Sequence, residues 1–183
     1  YAYKQHSVSF TAYQKTITLR NIVVLELLFS TGMRVSEVSN LKISDIDFGD
    51  NTIRIFGKGS KERIMCISRD LSKTISNYLT VHSRKTNYLL VNRLGNRLSE
   101  QSIRYMVNDY ANALRATLHT TTHILRQTFA TETHNEDVDI RYIQQFLGHS
   151  SISTTQIYTH ISTSKTREIL ESKHPRNRMK FTV

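Results

Sequence analysis

The chain of 183 residues holds one cysteine, one proline, few acids and no long apolar run. With Cys66 alone, no disulfide can form within the chain, and the composition suits a reducing compartment. With Pro175 as the only proline, nothing in the interior of the sequence forces a break between domains. The longest apolar stretch, "NIVVLELLF" at 21–29, is about half of the ~20 residues that a bilayer crossing needs. It also contains Glu26 and is followed by no cleavage-type sequence, so it reads as a buried helix and neither a membrane span nor a signal segment. There is no convergent set of Asp and Glu of the kind a two-metal nuclease requires. There is no Walker loop either, because Thr52 stands where its first glycine would precede Gly57 and Lys58. Repeats and low-complexity tracts are absent.

What is present is positive charge. Lys and Arg number 25 against 15 Asp and Glu, giving a formal net charge of +10. A compact domain this basic usually meets a polyanion, most often nucleic acid; the plainer alternative is a basic surface kept for solubility. An apolar content of 38%, with nine Tyr and seven Phe, is enough for a core and too high for disorder.

Residues 1–10 show no period and read as the end of an interdomain linker; a chain that opens on Tyr1 reads as a fragment or a processed product. From Thr11 to Thr31 the pattern is helical, with Gly32 as its stop. "RVSEVSNL" (34–41) reads as a short helix. "DIDF" (45–48), "NTIRIF" (51–56) and "KERIMCIS" (61–68) read as three antiparallel strands separated by "GDN" and "GKGS" turns. Beyond them the sequence reads as helical almost to its end. Its core faces are Leu71, Ile75, Tyr78 and Leu79, then Ile103, Met106, Tyr110 and Leu114, then Ile140, Ile143, Phe146 and Leu147. The expected fold class is α+β, a mostly helical domain with a small three-stranded antiparallel sheet. Residues 11–173 form the domain, and 174–183 a basic tail.

Four stretches carry side chains with chemistry. In "TGMRVSEVSNL", Arg34 follows a glycine break at a helix start, where backbone amides favour an anion, and Glu37 is placed one turn on to hold its guanidinium. By itself this is an ordinary exposed i,i+3 pair. In "GKGSK", glycines flank Lys58 at a hairpin tip; alone, it is a plain turn. In "THILRQTFAT", His123 and Arg126 lie three apart on one helix face, with Leu125 and Phe129 on a core stripe. His119 and His123 have helical metal-ligand spacing but no carboxylate at a fitting distance in sequence, so no metal is expected. In "LGHSSISTTQIYTH", Gly148 reads as a left-handed helix stop, with His149 and Tyr158 nine residues apart around a polar run. Tyr158 alone could be a half-buried core aromatic.

Taken in order, these stretches resemble the tyrosine recombinase (phage integrase-like) family, from about Thr11 to Pro175, and look most like its Xer-type and transposon-integrase branches. The resemblance implies a site-specific DNA recombinase that cleaves and rejoins strands through a 3′-phosphotyrosine, with type IB topoisomerase as the alternative. It implies Arg34 and Arg126 as clamps on the phosphate, His149 as a further donor, and His123 as the base. Lys58 would be the acid, Tyr158 the nucleophile, and Glu37 a supporting acidic residue. Neither metal nor nucleotide cofactor is needed, because the phosphotyrosine retains the energy of the broken bond. The expected partners are double-stranded DNA and further copies of the chain, four protomers on two duplexes with the tail docking on a neighbour. An accessory protein and a separate N-terminal DNA-clamping domain would complete the assembly. The expected location is the bacterial cytoplasm. Gln127 and Glu132 depart from the commonest family pattern, which carries histidine at both places.

Overall fold

Helix α1 (Ala12–Thr31) begins with a reciprocal cap. The Gln14 amide donates to the Thr11 hydroxyl at 3.2 Å, and the Thr11 amide to the Gln14 side chain at 2.9 Å. The computed structural model describes residues 11–57, 62–82, 86–113, 121–136, 138–148 and 172. Lys58, Leu114, His149, Tyr158, the expected linker 1–10 and the expected tail 174–183 lie outside them. Val23, Val24, Leu27 and Leu28 of α1 are wholly buried, so the densest apolar block in the sequence is the axis of the core. The helix stops at Gly32, whose φ of 59° is the left-handed conformation that glycine adopts without a Cβ penalty. No described helix is long and apolar enough to cross a membrane.

After α2 (Val35–Asn40) and a 3-10 turn at Ile43–Asp45 come three short strands, β1 (Ile46–Asp47), β2 (Thr52–Phe56) and β3 (Glu62–Cys66). They form one antiparallel sheet in the order β1-β2-β3, with Ile53 opposite Met65 and Ile55 opposite Arg63. Ile53, Ile55 and Met65 are buried, which makes this the inner face; Phe56 and Ile64 stand out in solvent. The period of two therefore sends Arg63 inward with Met65 and sends Ile64, 62% exposed, outward. In β3 a charged side chain faces in and an apolar one faces out.

Helix α3 (Arg69–Val81), capped by Ser68, packs on α1 through Leu71, Ile75, Tyr78 and Leu79, the face its spacing predicts. Helix α4 (Glu100–Ala113) buries Ile103 and Met106 and leaves Tyr110 at the edge of the core, its hydroxyl accepting from Asn21 at 3.2 Å. Helices α5 (Thr122–Asn135) and α6 (Ile140–Leu147) close the far side, with the rings of Phe129 and Phe146 6.3 Å apart.

The expected fold class holds, with two corrections. The stretch between α3 and α4 is extended where the sequence reads as helical. Leu89 donates to the Leu41 carbonyl at 2.8 Å and Leu98 to Leu90 at 2.9 Å, with bridges at Lys42–Tyr88 and Val91–Arg97. Leu89, Leu90 and Val91 are buried in succession, which no single helix face could do, and the Asn92 side chain and Gly95 (φ 81°) turn the chain back. Ile140, expected in the core, is 54% exposed. It stands in the first turn of α6 between Asp139 and Arg141, which pair with each other at the surface, so the helix enters the core only from Ile143 onward.

Candidate active site

Gly32 ends α1 so tightly that a Cβ added there would lie 2.6 Å from the Phe129 ring and 2.9 Å from Leu147. That close approach draws α1, α5 and α6 together and lets the next residues turn directly into α2. Arg34 is the N-cap of α2. Its backbone N–H donates to Glu37 Oε2 at 2.8 Å and its Nη1 to Glu37 Oε1 at 3.2 Å, so the expected pair forms. The pair is not the exposed one that spacing alone suggests. The Glu37 side chain is only 3% exposed, whereas that of Arg34 is 43% exposed.

The burial of Glu37 is explained by a second arginine, which sequence reasoning missed. Arg63 of β3 donates Nη1 to Oε1 and Nη2 to Oε2 of Glu37, both at 2.9 Å, in the fork-to-carboxylate geometry that suits guanidinium. Burial alone would raise the carboxyl's pKa. The hydrogen bonds from Arg63 and from the Arg34 amide, with the charges of both arginines, hold it below the ordinary carboxylate range. The signal was present in strand parity, since alternation places Arg63 beside Met65 on the core face, where a guanidinium needs a carboxylate.

Arg126 comes from α5 and is buried. Its Nη1 donates to the Gly32 carbonyl, 94 residues away in sequence, and its Nη2 to the Leu147 carbonyl. These carbonyls lie at the C-terminal ends of α1 and α6, where helical oxygens lack intrahelical partners and the dipole is negative. Arg126 thus ties two helix ends together beside Arg34. Burial first, and then the positive charge of Arg34, push its pKa down to about 10, with Glu37 opposing and Arg63 adding to the fall; it stays charged at neutral pH.

Arg34 at the start of α2 and Arg63 of β3 thus share the carboxylate of Glu37. The charge of Arg126 from α5 acts on the same group from its place between two helix-end carbonyls, and the four side chains together are net positive. Arg34 and Arg126 lie near enough for the charge of one to act on the other. His123 sits in the first turn of α5, exposed, three residues before Arg126; no hydrogen bond or ion pair among the described residues joins it to the arginines. Gly148 has the left-handed φ of 62° expected of a helix stop and carries the chain toward His149. Gln127 is exposed. A group of this kind can hold a dianion by charge-assisted hydrogen bonds from forks already fixed by the fold.

Comparison with known proteins finds relatives in sequence and in fold. The profile of the phage integrase family matches residues 4–165. A tyrosine recombinase of Agathobacter rectalis is 49% identical over 183 residues, covering 98% of this chain and 60% of its own length. The crystal structure of XerA recombinase superposes with a TM-score of 0.69 at 32% identity, over 95% of this chain and 65% of that one. XerH site-specific recombinase, solved on its palindromic difH substrate after cleavage, gives 0.66 at 28% identity, over 88% and 47%. The chain thus spans about 60% of the curated relative's length.

Proposed function

The chain belongs to the phage integrase family, and from that premise we propose that it is the strand-cleaving and strand-joining part of a site-specific DNA recombinase. The observation that carries this reading is that Arg34, held by the buried carboxylate of Glu37, and Arg126, held by the Gly32 and Leu147 carbonyls, come from distant parts of the sequence and lie within reach of one another's charge. Displacement at a DNA phosphorus gathers negative charge on its non-bridging oxygens, and two prealigned guanidiniums stabilise that charge without rearranging.

In the reaction, Tyr158 attacks the phosphorus and forms an O–P bond while the bond to the 5′ oxygen breaks. A phenol with an ordinary pKa near ~10 has to lose its proton to do so, and His123 takes it. The departing 5′ oxygen receives a proton from Lys58. The products are a 3′-phosphotyrosine and a 5′-hydroxyl, and the reverse displacement by another strand's 5′-hydroxyl restores the backbone. His149 donates to the same oxygens as the two arginines. No observation favours the topoisomerase alternative, and the relatives named above are recombinases.

Double-stranded DNA is the partner, supported by the basic composition and by the DNA-bound state of the XerH structure. Residues 11–173 would act as the catalytic domain, after a linker at 1–10 and before a basic tail at 174–183. Four copies on two duplexes, the tail of each docking on a neighbour, with an accessory protein, in the bacterial cytoplasm, complete the reading. The test is covalent trapping on a nicked suicide duplex, selected with the wild-type chain from a randomised pool. Tyr158→Phe should bind that duplex normally and yield no adduct; an adduct of wild-type yield would remove the assignment.

A further inference from the structure

Arg63 has no part in the reaction as written, yet its side chain is largely buried against the site. It chelates both oxygens of Glu37 at 2.9 Å. It also lies against Gly148: a Cβ built on that glycine would be 2.9 Å from Arg63 Nη1, 3.1 Å from Cζ and 3.2 Å from Nε. The Arg63 Nε is buried with no hydrogen-bond partner among the described residues. A desolvated guanidinium without full satisfaction is costly, and such a feature persists where it holds other groups in place. Gly148 therefore meets two demands at once, a left-handed φ and the absence of a side chain where the guanidinium passes. β3 also begins at Glu62, four residues after Lys58 in the sequence.

We propose that Arg63 is a positioning residue: by gripping Glu37 and bearing on Gly148, it locks the Arg34 fork and the backbone preceding His149 into one unit. It would act through Glu37, with no contact to the phosphate. The inference rests on the recombinase reading above and extends it to a residue outside the expected set. Three features support it: the inward parity of Arg63 in β3, its bidentate grip, and its closeness to Gly148. Loss of Arg63 would leave Glu37 with Arg34 from α2 as its hydrogen-bonding cation, and with the charge of Arg126 from α5 nearby. Glu37 would then protonate at a higher pH, because the hydrogen bond that most depresses its pKa would be gone.

The experiment measures single-turnover cleavage of the selected suicide duplex at saturating protein, alongside its binding by fluorescence anisotropy. Arg63→Lys keeps the charge but cannot chelate, and serves if Arg63→Ala fails to fold. Binding should stay within about threefold of wild type. Cleavage should fall by roughly 10²-fold in Arg63→Ala and by roughly tenfold in Arg63→Lys, as expected for a misplaced catalytic group. The acidic limb of the rate–pH profile should move toward neutral pH in both, which a merely structural loss would not cause. Arg63→Ala combined with Glu37→Gln should be little worse than either alone, since the two act as a unit. Cleavage within threefold of wild type in Arg63→Lys with an unmoved profile, or fully multiplicative losses in the double variant, would overturn the inference while leaving the recombinase reading intact. A wild-type chain that traps no duplex from the pool would instead bring down the recombinase reading and this inference with it.

Discussion

Gly32→Ala is the sharpest test of how the site is built, because it needs no assumption about DNA. The φ of 59° is left-handed, which costs a residue with a Cβ about 1–2 kcal/mol. The new methyl would also lie 2.6 Å from the Phe129 ring and 2.9 Å from Leu147, both buried, so overpacking adds about 1–3 kcal/mol. The sum is about 2–5 kcal/mol, or a fall in Tm of roughly 4–20 °C for a chain of this size. Urea unfolding followed by circular dichroism measures it, with an unchanged m-value showing that the same transition is being compared. Phe129→Leu removes the ring edge that the methyl strikes but leaves the backbone strain. The double variant should therefore lose at least ~1 kcal/mol less than the sum of the singles. A loss below ~1 kcal/mol for Gly32→Ala, or strict additivity in the pair, would show that the helix ends do not meet as described.

Glu37→Gln should destabilise by about 3 kcal/mol at neutral pH, because it leaves the Arg63 fork buried against a neutral amide. The carboxyl's pKa is depressed in the folded state, so its stabilisation is present above the ordinary value of 4.5 and is lost as pH falls through the folded value. The gap between wild type and variant, measured by urea titration, should accordingly close on acidification below that ordinary value. Sulfate or phosphate should raise Tm more than chloride at matched ionic strength, and Arg34→Ala should abolish most of the excess, read by differential scanning fluorimetry. Arg34→Ala should also lower single-turnover cleavage by roughly 10²–10³-fold with duplex affinity changed far less; equal losses in both would mean that the guanidinium serves ground-state binding. Affinity for duplex DNA should fall steeply and log-linearly with salt, as phosphate contacts by a basic face require; a flat response would contradict the polyanion reading.

The sequence disclosed the parts of this site that depend on local rules. Gly32 and Gly148 announced helix stops because only a residue without Cβ takes the left-handed turn cheaply, and both have positive φ. Spacing placed Glu37 beside Arg34, and the three-residue step put His123 and Arg126 on α5. The rest depended on tertiary partners. Whether the Arg34–Glu37 pair was exposed could not be decided without Arg63, which reaches it from 26 residues away. The extended stretch at 86–99 was hidden in part because Tyr88 and Leu89 pair with Lys42 and Leu41, outside any local window. Ile140 fits the helical stripe of α6, but a stripe does not say how far along the helix its neighbour extends.

The balance of charge explains why the arginines are arranged in this way. Arg126 has its pKa lowered first by burial and then by its cationic neighbours, so the folded protein holds that guanidinium against a standing electrostatic cost. Among the described residues that act on Arg126, Glu37 is the one carboxylate beside two other guanidiniums, and it does not cancel this cost. A second acid in the cluster would have relieved the strain, but it would also have repelled any entering phosphate. Glu37 instead lies on the buried side, held by Arg63, while the Arg34 side chain remains 43% exposed. The negative charge is thus placed where it orients the forks and is withheld from the side open to solvent. An anion docking there removes like-charge repulsion among the arginines as well as gaining its own contacts. Arg63 therefore governs where the carboxylate sits and how the Arg34 fork is aimed, which bears on the cleavage step far more than on the affinity for duplex.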